Sequence, residues 1–274
     1  MNSILPKIIG SLINFAGCFN KTLASKWALN LFYRPLKGRY KNPHPTIESA
    51  KKIVLKYKEL DIAVYRWAGS NQTVLLAHGW QSNSGRWKNI INRLKENNYN
   101  IISIDAPAHG SSGSKIFNAV LYSKFIEQVA NKYKPSILIG HSVGGMAISY
   151  FLKNTQYDLA DKIVFLGSPA GFPGVLKKYI KLMGYNKKIA EGIEIIIQER
   201  FGFPSSYFNT AKFVKEFSCK GLIVHDEYDT VIPFSDAIEI QNSFKNSKLL
   251  KTQGLGHGLK SKKVIDAITD FIKD

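Results

Sequence analysis

The chain has 274 residues, 45% apolar and 12% aromatic. That is enough to bury a substantial core, excludes disorder, and fits one large domain with an insertion better than two independent domains. The formal charge of +18 suits anionic lipid, acidic substrates or nonspecific nucleic acid. With the lysines spread along the chain and no RNP, KH or zinc-finger pattern, no specific nucleic-acid partner is expected. The two cysteines, Cys18 and Cys219, are too far apart for a disulfide framework or a zinc cluster, and no metal or cofactor is expected.

The first segment, "ILPKIIGSLINFAGC", is too short to span a bilayer. It resembles a signal h-region, and Phe15-Ala16-Gly17-Cys18 loosely matches a lipoprotein cleavage box, but Lys7 alone makes a weak n-region. The run continues through Leu23, Trp27 and Leu31, four residues apart, which predicts an amphipathic helix docked on the domain, with peripheral membrane contact as the alternative. The expected location is cytoplasmic, against a membrane-associated or lipoprotein alternative. Residues 34–45, "RPLKGRYKNPHP", read as a linker closing an N-terminal prelude over 1–45.

Two strands are predicted at 52–57 and 62–67. Short apolar runs at 73–78, 100–105, 136–140, 162–167 and 221–226 then alternate with segments of helical spacing. Strands apolar on both faces, separated by amphipathic helices, indicate an α/β protein with a parallel sheet covered on both sides. The alternation breaks between about Ala170 and Ser218, a helical and aromatic stretch rich in lysine. This predicts a helical cap over 170–218, inserted in a core formed by 46–169 and 219–274.

In open α/β sheets, ligands sit beyond the carboxyl ends of the strands. Gly140-His-Ser142-Val-Gly144 follows the strand "ILIG" and opens the helix "VGGMAISYFL". The bare pattern arises by chance in roughly one chain in ten of this size. A strand-turn-helix elbow, however, explains both glycines and projects the Ser142 hydroxyl at the sheet edge. A serine nucleophile needs a base, and the base an orienting group. His257 follows the terminal run "SKLLKT" in a glycine-lined loop and is the expected base; His141 and His78 are expected to be structural. Asp229 in "HDEYDTVIP" is the expected acid, with Asp226 as runner-up. In "AHGWQ", the His-Gly turn offers the Trp80 amide to join that of Val143 as an oxyanion hole.

These motifs, with "DAPAHGSSG" at 105–113, stand in an order that resembles the α/β-hydrolase superfamily over residues 50–274. The resemblance implies an eight-stranded, mostly parallel sheet, a cap after the sixth strand, and a Ser142–Asp229–His257 triad. Serine at the elbow argues against dehalogenases and epoxide hydrolases, which use aspartate. The expected activity is hydrolysis of a small or acyl-chain carboxylic ester with an apolar acyl group. The alternatives are acyl transfer, thioesterase or perhydrolase chemistry on the same triad, and a non-catalytic ligand-binding homologue. Substrate identity and oligomeric state are not legible.

Overall fold

The computed structural model describes residues 4–274; the first three residues of the expected prelude lie outside them. Two helices open the chain, α1 (Ile4–Phe19) and α2 (Lys21–Phe32), the second capped by the Asn20 side chain on the Leu23 amide. The short α3 (Pro45–Glu48) precedes a hairpin of β1 (Lys51–Tyr57) and β2 (Leu60–Trp67). Strands and helices then alternate: β3 (Asn71–Ala77), α4 (Lys88–Glu96), β4 (Tyr99–Ile104), α5 (Ala119–Tyr133), β5 (Ile137–His141), α6 (Val143–Thr155) and β6 (Lys162–Leu166). Here α7 (Phe172–Met183) and α8 (Lys187–Phe201) interrupt the pattern. It resumes through the short α9 (Thr210–Phe213), β7 (Lys220–Asp226), α10 (Phe234–Ser243), β8 (Ser247–Thr252) and α11 (Lys262–Lys273).

The eight strands form one sheet in the order β1-β2-β4-β3-β5-β6-β7-β8. β2 runs antiparallel to both β1 and β4, and every other pair is parallel. The continuous apolar runs follow from burial on both faces. In β3, Leu75 and Ala77 pack with residues of α5 and α6 such as Phe125, Ile148 and Phe151. Val74 and Leu76 pack on the other face with Trp87, Ile91 of α4 and Ile268 of α11. This architecture puts the carboxyl ends of β3, β5, β6 and β7 along one edge.

The chain divides into two compact units, one holding the sheet (Pro35–Ala170 and Thr210–Asp274), the other the helices up to Arg34 with Gly171–Asn209. The expected prelude is therefore divided. Residues 35–45, read as a linker, lie in the sheet unit. The Arg39 guanidinium donates to the Ser112 and Ser114 carbonyls, and Tyr40 donates to Asp105. Composition marked this segment as basic and proline-rich but gave no sign of those acceptors. At the other end, residues 210–218 also fall in the sheet unit, where Ala211 donates to the Ala170 carbonyl and Ala211 and Val214 join the core.

In the second unit, α1 and α2 pack through their small residues. A Cβ on Gly10 would stand 1.7 Å from the Met183 carbonyl oxygen, and one on Gly17 2.6 Å from Ile189 Cδ1. One on Gly192 of α8 would stand 2.1 Å from Ser25 Oγ. The Asn14 side chain donates to the Gly184 carbonyl and accepts from the Asn186 amide, tying α1 to the α7–α8 turn. Among the described residues, no helix is long and apolar enough to cross a membrane, and no cluster of His, Cys, Asp and Glu is arranged to hold a metal.

Glycine to alanine inside a helix ordinarily stabilises by about 1 kcal/mol. Two substitutions in this unit are expected to diverge in thermal unfolding. Gly174→Ala, with nothing within 4 Å of the added methyl, raises the midpoint. Gly10→Ala lowers it, costing roughly 2 kcal/mol of stability, because its methyl meets a backbone carbonyl that cannot rotate away. A stabilised Gly10→Ala protein would contradict this packing.

Candidate active site

Ser142 stands between β5 and α6 with φ 53° and ψ −127°, a conformation that non-glycine residues rarely adopt. The turn is held by its crowding. A Cβ on Gly140 would lie 2.5 Å from the Gly145 Cα, and one on Gly144 2.2 Å from the Ala77 carbonyl oxygen. The Ser142 amide donates to the Leu166 carbonyl at 2.8 Å, locking the elbow to the end of β6. Val143 is the first residue of α6, where helix amides have no intrahelical acceptor.

His257 and Asp229 come from loops 28 residues apart and meet in a 2.7 Å hydrogen bond between His257 Nδ1 and Asp229 Oδ2. The Asp229 side chain is fully buried and that of His257 is 21% exposed. The other carboxylate oxygen, Oδ1, accepts from the Val231 and Ile232 amides. Burial raises the Asp229 pKa, but the His257 hydrogen bond and these amides outweigh it, so the carboxyl titrates below its ordinary value and stays ionised. An acceptor-only carboxylate at Nδ1 fixes the tautomer, leaving Nε2 of His257 as the lone-pair nitrogen.

Asp226 is committed elsewhere. It accepts from the Thr252 hydroxyl and from the Leu255 and Tyr228 amides, which shapes the turn after β7 and takes it out of reach as the histidine's partner. His225, also buried, meets the Ile232 carbonyl through Nε2 and lies 3.5 Å from Asp229 Oδ2.

The His257 loop is tied to the elbow. His141, next to Ser142, donates from Nε2 to the His257 carbonyl at 2.8 Å, and their rings lie 4.7 Å apart. The following carbonyl, that of Gly258, accepts from Arg86 at 3.2 Å. The Arg86 guanidinium lies over the Trp87 ring, and burial lowers its pKa to about 9. Two consecutive carbonyls beside the candidate base are thus held by His141, expected to be structural, and by Arg86, to which the sequence assigned no role. Gly167 was missed as well. At φ 55° after β6, a Cβ there would sit 3.3 Å from His257 Nδ1 and 3.6 Å from Asp229 Oδ2. A glycine ending an apolar run was the one available signal; nothing in "SGRW" marked Arg86.

The His-Gly turn presses on the elbow: a Cβ on Gly79 would lie 2.8 Å from the Ser142 Cβ. Trp80 packs its indole against Phe117 and His109, with centroids 5.2 and 5.8 Å away. This turn rests on two buried neutral histidines. His78 donates from Nδ1 to the Gly79 carbonyl and accepts the Ala106 amide at Nε2. His109 donates to the Pro107 carbonyl and accepts the Gln81 amide. Asp105 accepts from the Ser84 and Ser111 amides and from Tyr40 and Tyr65, joining the loops after β3 and β4.

These histidines make stability depend on pH. Burial lowers the pKa of His78 to about 3 and of His109 to about 4, and takes His141 well below its ordinary 6.5. Between those values and pH 6.5 the unfolded chain binds more protons than the folded one, so stability rises with pH there and falls on acidification. Three such groups approach three protons at about pH 5, a slope of up to about 4 kcal/mol per pH unit. Asp105, whose pKa burial raises above 3.8 against its amide hydrogen bonds, holds a proton more readily folded than unfolded and so opposes the trend by at most one proton. Unfolding free energies measured from pH 7 to 5 are expected to fall with at least two protons taken up; a flat profile would show that these rings are protonated or exposed.

A family model described as serine aminopeptidase, S33, matches residues 68–198, from just after β2 into α8. A pimeloyl-[acyl-carrier protein] methyl ester esterase of Wigglesworthia glossinidia brevipalpis is 30% identical over 213 residues, covering 76% of this chain and 73% of that protein. A monoacylglycerol lipase of Mycolicibacterium smegmatis is 29% identical over 136 residues, or 44% of this chain; the match spans 47%, about half, of the relative's length. Among solved structures, Est1E of Butyrivibrio proteoclasticus, determined with ferulic acid bound, superposes with a TM-score of 0.68 at 16% identity, over 81% of this chain and 98% of that one. The sheet order, the elbow after β5 and these likenesses agree, and the chain belongs to the α/β-hydrolase superfamily.

Proposed function

We propose that the protein is a serine hydrolase of carboxylic esters, with Ser142 as nucleophile, His257 as general base and Asp229 as its orienting acid. The observation that carries this reading is the buried Asp229–His257 hydrogen bond, tied through His141 to a serine held in a strained elbow. Ser142 Oγ attacks the acyl carbonyl as its proton passes to His257 Nε2, and the imidazolium formed is stabilised by the ionised Asp229. The oxyanion is received by the Val143 and Trp80 amides, each worth about 3 kcal/mol in the transition state. His257 then protonates the leaving alcohol. It next takes a proton from the water that attacks the acyl-enzyme and returns it to Ser142 Oγ as the carboxylic acid leaves.

An apolar acyl group is supported by the Trp80–Phe117 wall beside the elbow and by relatives named for a monoacylglycerol and a pimeloyl methyl ester. The test begins with fluorophosphonate labelling, which reports an activated serine without a chosen substrate. Wild type is expected to label and Ser142→Ala not to. With p-nitrophenyl esters of graded acyl length, Ser142→Ala is expected to lose about 10⁶-fold and Asp229→Asn about 10⁴-fold in kcat. Labelling that survives Ser142→Ala would sink the assignment.

A further inference from the structure

Large apolar side chains are exposed mainly on the first two helices. On α1, Ile4, Leu5, Ile8, Leu12, Phe15 and Phe19 are each at least 53% exposed. At 3.6 residues per turn they fall within an arc of about 100°, opposite the buried Gly10, Ile13 and Gly17. α2 repeats the arrangement, burying Ala24, Ser25, Ala28 and Leu29 and exposing Leu23, Trp27 and Leu31. Both helices set their small residues against α8, Gly17 on Ile189 and Ser25 on Gly192, so both apolar faces point away from it. This inverts the usual amphipathic helix, whose large apolar residues face the protein.

The charge around this face is mainly positive, although Lys21 is paired with Glu191 of α8. Up to Arg34 the chain carries Lys7, Lys21, Lys26 and Arg34 and no Asp or Glu. Lys7 and Lys26, both exposed, lie about 60° from the edges of their helices' apolar arcs. Adding Gly171–Asn209 gives ten Lys and Arg against three Glu, a surplus of seven. A two-fold dimer would bring this face onto itself and oppose like charges, whereas an anionic bilayer takes up the apolar stripe and neutralises its flanks.

We propose that α1 and α2 form a docking surface for an anionic lipid bilayer, lying in the interface without spanning it. The inference does not depend on the catalytic reading. The full chain is tested by co-sedimentation with vesicles of phosphatidylcholine alone or mixed with phosphatidylglycerol. Partition is expected into the anionic vesicles, weakened by salt. Leu12→Glu/Phe15→Glu/Trp27→Glu, all exposed positions, is expected to lose at least about ten-fold in partition with an unchanged melting curve. Should that variant fail to fold, brominated lipid is expected to quench wild type more than Trp27→Phe. Equal partition of a folded triple variant and wild type, or quenching indifferent to Trp27, would overturn the proposal. So would a wild-type dimer in sedimentation velocity that ignores vesicles and dissociates on the triple substitution, which would make the face a contact between copies.

Discussion

The crossing of β5 into α6 leaves no room for side chains, and the site is built around that shortage. Gly140 and Gly144 let strand, helix and the end of β3 approach within distances that a Cβ forbids, and Ser142 absorbs the remaining turn at φ 53°. Such a conformation costs on the order of 1–3 kcal/mol. It is over-determined by the Ser142 amide on the Leu166 carbonyl, the Gly145 amide on Ser142, and a helix whose first turns are buried. Because the elbow is rigid, its neighbours can be placed against it: Gly79 from the loop after β3, and the His257 loop through His141.

Polar groups around the elbow are sorted by what they are allowed to do. His78, His109 and His141 are buried and neutral, each donating one ring N–H to a backbone carbonyl, so they serve as uncharged struts. His257 differs in keeping a partly exposed ring and a carboxylate at Nδ1. Asp229 and Asp226 are separated by the same logic. Three residues apart, both accept amides of the β7 turn, but only Asp229 gives an oxygen to a histidine.

The helices outside the sheet unit obey a different constraint. Glycine, alanine and serine on α1, α2 and α8 bring backbones close, and apart from the buried Ile13 and Leu29 this leaves most large apolar residues of α1 and α2 on the outer surface. In the sequence, the four-residue spacing of Leu23, Trp27 and Leu31 predicted an amphipathic helix. Periodicity is blind to the direction of the stripe, and here it points outward.

Much of the molecule was legible one residue type at a time. Eight apolar runs of strand length, separated by helical spacing, specify an α/β sheet. Glycines flanking a serine after one run mark an elbow, and a histidine after the last run, with an aspartate after the one before, supplies the partners of the Asp229–His257 pair. These signals are local, carried by period and chain order. The contacts of the segment read as a linker at 34–45, the parts played by Gly167 and Arg86, and the partner of the structural His141 were not legible, because each depends on a residue more than 40 positions away: Arg39 on Ser112, Gly167 and His141 on His257, Arg86 on Gly258. Hydrogen-bond partners and steric contacts across that separation are set by how the loops fold back over the strand ends, and only the packed structure decides them.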